Sequence, residues 1–283
     1  MQKILIIGSQ GYIGSTLVKY LEEKEYDLTL VDSLHRKSNL DNYFIQERYQ
    51  NLEKSFLDSF SDCIWLAGHS SVAMSQKDSS NALKNNFYDL IEFYKKLKGR
   101  FIYASTGSVY SRDNVELCDE TALLGSPQNT YDYSKLAFDN YLISHSLPAI
   151  TLRFGTVNGL GLNIKQELMI NSMVKSFKHD GFIKLNNLNF YRPILWMKDL
   201  IFSIENILKS NVNNHIFNLC SFNSSIGNIG NEVSKFLNCD IQVLEDTPTY
   251  NFKMSNEKFS KFFSYEFQGT IEKIVDELIN YDY

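Results

Sequence analysis

The sequence predicts an α/β fold: a doubly wound parallel sheet with a smaller C-terminal lobe. Three observations predict it. The continuous apolar run Lys3-Ile4-Leu5-Ile6-Ile7 suits a strand buried on both faces. A glycine-spaced turn, Gly8-Ser9-Gln10-Gly11-Tyr12-Ile13-Gly14, follows it and opens a helix with apolar positions at Ile13, Leu17, Val18 and Leu21. Strand-like and helix-like segments then alternate to about residue 154, the rhythm of parallel strands joined by right-handed crossovers.

In chain order, a second buried strand is expected over 28–31, ended by Asp32. The next crossover is weakly marked, with a short helix over 51–60. Cys63-Ile64-Trp65-Leu66-Ala67-Gly68 reads as a strand, 79–96 as one long helix, and 100–105 as a further strand. A helix over 131–144 and a strand over 149–154 complete this part. Beyond 156 the spacing predicts helices over 167–179, 198–209, 226–237 and 270–281, a strand over 216–219, and an irregular polar stretch at 186–189. The expected division is a nucleotide-binding domain over 1–160 with returns near 190–220, and a smaller lobe mainly over 161–283.

Composition narrows the function classes. A chain of 283 residues with 14% aromatics can bury a large core. A net charge of −5 and the lack of a basic run argue against nucleic acid as a partner. The four cysteines (Cys63, Cys118, Cys220, Cys239) have no C-x-x-C spacing, and the five histidines have no metal-ligand spacing, so no metal is expected. The first strand begins at Lys3 and no apolar run reaches the roughly 20 residues that span a bilayer, so a soluble, cytoplasmic protein without a signal peptide is expected.

Two groups of residues carry chemistry. In the first, Gly8 lets the chain turn out of its strand, Gly11 lets backbone approach a pyrophosphate, and Gly14 allows helix to pack on strand. The helix N-terminus at Tyr12 and Ile13 then offers N–H groups and a positive dipole end. Asp32, eighteen residues past Gly14, can accept both hydroxyls of an adenosine ribose and repels a 2′-phosphate, which favours NAD over NADP. Arg36 and Lys37 weigh against that preference. In the second group, Tyr131 and Lys135 share one helix face about 6 Å apart. A lysine cation beside a phenol stabilises phenolate and so equips it for proton transfer. Thr106, just beyond the 100–105 strand, can share a substrate oxygen with Tyr131. Tyr133, two residues from Lys135, points elsewhere.

Taken in order, these motifs resemble an extended short-chain dehydrogenase/reductase of the nucleotide-sugar epimerase/dehydratase group. The resemblance also includes Leu66-Ala67-Gly68, Asn86, the 105–110 segment, Leu152-Arg153-Phe154-Gly155-Thr156-Val157-Asn158-Gly159, and Arg192-Pro193 with Asp199 downstream. It implies a Rossmann-type sheet and bound NAD, with Tyr131 as acid/base assisted by Lys135 and Thr106. It further implies that Ala67, Gly68, Asn86 and Ser105 lie at the cofactor, and that Asn171 and Arg192 reach the diphosphate of a nucleotide sugar. A homodimer is implied through the helix carrying Phe138, Tyr141 and Leu142, residues that core packing also explains.

Several positions depart from the pattern. Trp65 stands where a histidine is frequent, and Asn51-Leu52 is the nearest match to an adenine-contacting Asp-Leu step. Gly107 and Ser108 replace the Asp-Glu pair of sugar dehydratases, which disfavours dehydration. Thr156 replaces an asparagine of many 4-epimerases, and Pro248 an arginine found before the tyrosine matched by Tyr250. His69 beside Ser70 and Ser71 does not make a hydrolase site, because no G-x-S-x-G elbow is present. Phe259, Phe262, Phe263 and Phe267 read as lobe packing. The reading that leads is an NAD-dependent epimerase acting at C4 of a hexose. A 4-ketoreductase consuming NAD(P)H, and a catalytically idle NAD-binding regulator, are the alternatives.

Overall fold

The computed structural model describes residues 2–24, 26–34, 42–110 and 115–281; Arg36 and Lys37 lie outside the described residues. The strands are β1 Lys3–Ile7, β2 Asp27–Asp32, β3 Ile45–Gln46, β4 Asp62–Trp65, β5 Arg100–Thr106, β6 Leu117–Cys118 and β7 Ile150–Phe154. They continue as β8 Thr156–Asn158, β9 Phe182–Leu185, β10 Tyr191–Trp196, β11 His215–Leu219, β12 Phe222–Ser225, β13 Asp240–Val243 and β14 Lys253–Met254. The helices are α1 Tyr12–Glu22, α2 Lys54–Leu57, α3 Val72–Lys77, α4 Ser79–Leu83, α5 Asp89–Lys96 and α6 Thr130–Ser144. Then come α7 Met169–Asp180, α8 Met197–Leu208, α9 Ile226–Leu237, α10 Glu257–Phe263 and α11 Ile271–Ile279.

The chain divides into two compact units. The first holds residues 1–109, 126–153 and 207–216; the second holds 110–125, 154–206 and 217–283. Of the return expected near 190–220, residues 207–216 fall in the first unit, while the second unit keeps 190–206, takes in 110–125 and resumes at Phe154.

A seven-stranded sheet runs in the order β11-β7-β5-β4-β1-β2-β3. β1 pairs in parallel with β2 and with β4, β4 with β5, and β2 with β3. The order therefore reverses between β1 and β4, and the crevice outside the carboxyl ends of such strands is where doubly wound sheets bind ligands. Ile4, Leu5 and Ile6 are fully buried, as a strand covered by helices on both faces requires. Trp65 belongs to this unit's core, 4.5 Å from the Tyr49 ring and 5.1 Å from Phe93. Phe138 and Leu142 of α6 are buried in the same core.

The helix expected over 79–96 is not continuous. It is α4, a π-helical turn at Lys84–Tyr88, and α5, with α3 lying before it. The extra residue of a π turn rotates the helix beyond it, and here the turn carries Asn86. The expected 51–60 helix is a 3-10 turn at Tyr49–Asn51 followed by α2.

In the second unit, β12-β10-β8 form one sheet and β13-β9 and β14-β6 form two-stranded pairs. Its apolar core lies among α7, α9, α11 and the strands they cover, with Ile229, Val233, Ile274 and Leu278 fully buried. Phe217, Phe259 and Phe263 pack as a ring cluster, with centroids 4.6–5.5 Å apart. Among the described residues no helix is long and apolar enough to cross a membrane.

Asp199, in the first turn of α8, is the polar anchor of this unit. It is fully buried. Oδ1 accepts from the Tyr265 hydroxyl (2.7 Å) and the Gln268 N–H (2.9 Å), and Oδ2 from Ser221 Oγ (2.6 Å) and the Gly269 N–H (2.8 Å). Burial and this carboxylate together push the Tyr265 phenol above its usual range. Replacing Asp199 with Ala strands four donors, each costing about 1–3 kcal/mol when buried without an acceptor. We expect a loss of about 4 kcal/mol or more, read as a fall in melting temperature of more than roughly 8 °C. An unchanged melting temperature would show that the anchor is dispensable.

Candidate active site

The glycine turn is built by backbone crowding. Gly8 has φ +88°, and a Cβ there would sit 2.7 Å from the Ala67 nitrogen. At Gly14 a Cβ would meet the Gly8 carbonyl oxygen at 2.1 Å. Gly11 differs, because its nearest neighbour would be 3.4 Å away, so its missing side chain leaves room on the open side of the turn. Gly11 also precedes α1 without any side-chain cap, and the first intrahelical bond is Ser15 N–H to the Gly11 carbonyl, at 2.9 Å. The N-terminal N–H groups of Tyr12, Ile13 and Gly14 lie before that bond, as an anion-binding helix end needs.

A cavity of about 250 Å³ opens beside this turn at the β1/β4 reversal. Its wall includes Gly8, Gly11, Asp32, Ala67 and Gly68. Asp32 accepts the Gln10 N–H on Oδ2 (2.9 Å) and the Leu34 N–H on Oδ1 (2.8 Å), which fixes the carboxylate while leaving lone pairs on both oxygens. The same wall includes residues to which the sequence assigned no part in a cofactor site: Ser33, Tyr49, Gln50 and His69. They come from strand ends and short turns, where periodicity carries no signal. Gln50 donates to Asn85 Oδ1 and Asp89 Oδ2, whereas Asn51 and Leu52 are not on the wall. The glycine cradle, the helix N-terminus and the fixed Asp32 carboxylate suit a dinucleotide.

Asn86 abuts the cavity wall at Gly68 and His69. It is 1% exposed, and its Oδ1 accepts the His69 N–H (2.9 Å). Its Nδ2 donates to the His69 carbonyl (3.0 Å) and to Ser134 Oγ (3.0 Å). It clamps the loop after β4 to α6, and the absence of a Cβ at Gly68 (φ +106°) makes room for it. The Ser105 hydroxyl donates to Asp139 Oδ1 at 2.7 Å. Asn171 is fully buried in the second unit, accepting the Gly159 N–H and donating to the Lys165 carbonyl. All three side chains are engaged within the chain. A buried amide or hydroxyl finds partners in its own chain.

The residues expected to carry proton transfer, Tyr131, Lys135 and Thr106, lie on α6 and at the end of β5, outside the cavity wall. Asn129 caps α6 by accepting the Asp132 N–H at 2.9 Å. Lys135 is 5% exposed; its Nζ donates to the Ala104 carbonyl at 2.9 Å and lies 4.9 Å over the Tyr103 ring. Burial beside Asp139 and Tyr131 pushes the Tyr103 phenol well up. One turn beyond Lys135, Asp139 pairs with the Arg153 Nε at 3.0 Å, and burial raises its carboxyl against the pull of that cation. Thr106 Oγ1 lies 3.0 Å from Ser108 Oγ, which donates to Asp132 Oδ1 at 2.8 Å. In the second unit Arg192 donates to Thr249 Oγ1 and its guanidinium lies 5.3 Å over the Tyr250 ring.

A model of the NAD dependent epimerase/dehydratase family matches residues 4–220, and the chain belongs to that family. It is 28% identical over 228 residues, 74% of this chain and 68% of the relative, to an ADP-L-glycero-D-manno-heptose-6-epimerase of Cupriavidus pinatubonensis. Among solved structures it resembles a UDP-glucose-4-epimerase from Stenotrophomonas maltophila with bound NAD, with a TM-score of 0.86 at 13% identity, covering 99% and 97% of the two chains. A dTDP-glucose 4,6-dehydratase from Bacillus anthracis in complex with NAD matches with a TM-score of 0.81 at 21% identity, covering 99% and 96%. At these identities the structures establish the fold.

The two glycines separate folding from binding. Gly14→Ala forces helix and turn apart and should cost about 3 kcal/mol in thermal unfolding. Gly11→Ala should leave the melting temperature near native yet weaken NAD at least about tenfold in calorimetric titration, roughly 1.4 kcal/mol. Equal effects of the two substitutions on stability would contradict this division.

Proposed function

We propose that the chain is an NAD-dependent nucleotide-sugar epimerase acting at C4 of a hexose. One observation carries the reading. The buried Lys135 ammonium is held at the Ala104 carbonyl, next to Thr106 at the end of β5, and one helical turn from Tyr131. Tyr131 as phenolate takes the proton of the sugar hydroxyl, and Lys135 stabilises the negative oxygen. Thr106 hydrogen-bonds the reacting oxygen. Gly8, Gly11, the α1 N-terminus, Asp32, Ala67 and Gly68 would hold NAD. Bound NAD would supply a two-electron acceptor that returns the same hydride to the opposite sugar face, so the reaction is redox-neutral.

The loop Thr106-Gly107-Ser108 supports epimerisation over dehydration, since it carries no acid to protonate a departing hydroxyl. In the second unit we assign the nucleotide diphosphate to Arg192, whose fork suits phosphate and whose plane is steadied by Tyr250. Asn171 acts there as a loop clamp. The reading extends to a homodimer, supported by the exposed rings of Tyr88 (58%) and Tyr133 (54%) on two helices that pack together.

Tyr131→Phe tests the chemistry. Turnover, followed by proton NMR of sugar nucleotides, should fall by about 10³-fold. NAD binding should remain native. Undiminished conversion by the variant would remove Tyr131 from the role, and net loss of NADH absorbance with a 4-keto sugar nucleotide would assign a reductase instead.

A further inference from the structure

Asp132 makes a contact with Ser108 that capping α6 does not explain. It is the third residue of the helix and 1% exposed. Its N–H donates to Asn129 Oδ1, and its Oδ2 accepts from Asn129 Nδ2 at 2.6 Å, a reciprocal cap. Oδ1 takes no part in that cap. It accepts from Ser108 Oγ at 2.8 Å.

The direction of the remaining bonds is set by the number of protons available. A carboxylate only accepts, and a serine hydroxyl has one proton, so that proton lies toward Asp132. Ser108 Oγ must then be the acceptor in its 3.0 Å contact with Thr106 Oγ1, and Thr106 the donor. Thr106 Oγ1 also accepts the Ser108 N–H at 3.2 Å. Its proton is turned inward and one of its two lone pairs is taken. What it has left to offer a ligand is a lone pair.

We propose that Asp132, acting through Ser108, holds the Thr106 hydroxyl as an acceptor, so that the site selects a sugar bearing a hydroxyl over one bearing a carbonyl at the reacting carbon. The proposal rests on the epimerase reading only in placing Thr106 against the reacting oxygen. An alcohol can donate to that lone pair. A carbonyl cannot, and would face it acceptor to acceptor. Oxidation of the sugar therefore breaks the contact that held it, which frees the ring to present its other face. A ketoreductase would need the opposite polarity, because its substrate arrives as the ketone. Ser108 and Asp132 are positioning residues in this scheme.

Two experiments test it. Neutron diffraction from deuterium-exchanged, NAD-loaded crystals should place the Ser108 deuteron toward Asp132 and the Thr106 deuteron toward Ser108. A Thr106 deuteron directed away from Ser108 overturns the proposal, whatever the substrate proves to be. In a Tyr131→Phe background, where turnover is blocked, calorimetry compares UDP-glucose with UDP-4-keto-6-deoxyglucose. Ser108→Ala leaves the Asn129–Asp132 cap intact and frees the Thr106 proton, so the keto sugar should gain about tenfold relative to the hydroxyl sugar. Ser108→Thr should restore the native ratio. A ratio unmoved by Ser108→Ala also overturns the proposal. Binding of neither nucleotide sugar counts against the substrate reading, with the neutron result still deciding the polarity.

Discussion

The chemistry of this protein depends on how α6 is registered against β5. Lys135 brings a charge into a site that is 5% exposed, which is tolerable only with a partner at hand. It has the Ala104 carbonyl and the face of Tyr103. Four residues on, Asp139 brings the opposite charge to Ser105 and Arg153. Successive turns of one helix are thus stitched to successive residues of one strand by groups of unlike polarity. A slip of one position would bury Lys135 or Asp139 without its partner. Such pairs contribute little net stability compared with apolar packing, so their physical value here is placement. Tyr131 at one end of α6 and Thr106 at the end of β5 inherit the register.

The same attachments explain which parts of the fold were legible in the sequence. β1, β4 and β5 are short apolar runs buried on both faces, and hydrophobicity alone marks them. Two of the second unit's strands have no such mark. β13 is exposed at three of its four positions, and β12 is polar and half-buried, so neither a continuous nor an alternating apolar pattern survives. The expected 79–96 helix has helical periodicity on both sides of its π turn, and one inserted residue cannot be seen in a pattern of that length. Gly8, Gly14 and Asp32 were readable because each is dictated by backbone sterics or by its position at a strand end. Gln50 and His69 reach the cavity from turns whose geometry comes from tertiary contacts.

Hydrogen-bond capacity separates the residues that hold the site together from those with something left for a ligand. Asn86 and Asn171 each have donor and acceptor engaged within the chain, and the Ser105 proton is engaged by Asp139. A motif records that an amide or hydroxyl occurs at a position and is silent about which way it turns. Asp32 is the contrasting case. Its two oxygens have about four lone-pair sites, and the Gln10 and Leu34 N–H groups take one on each oxygen. The carboxylate is immobilised by the backbone and still able to receive hydroxyls, the condition for preorganised recognition. Thr106 is intermediate, with its proton drawn inward and a lone pair remaining. The specificity of such a site resides in the direction of its hydrogen bonds as much as in the identity of its residues. That direction is set at Asp132, two hydrogen bonds away from the oxygen that would meet the sugar.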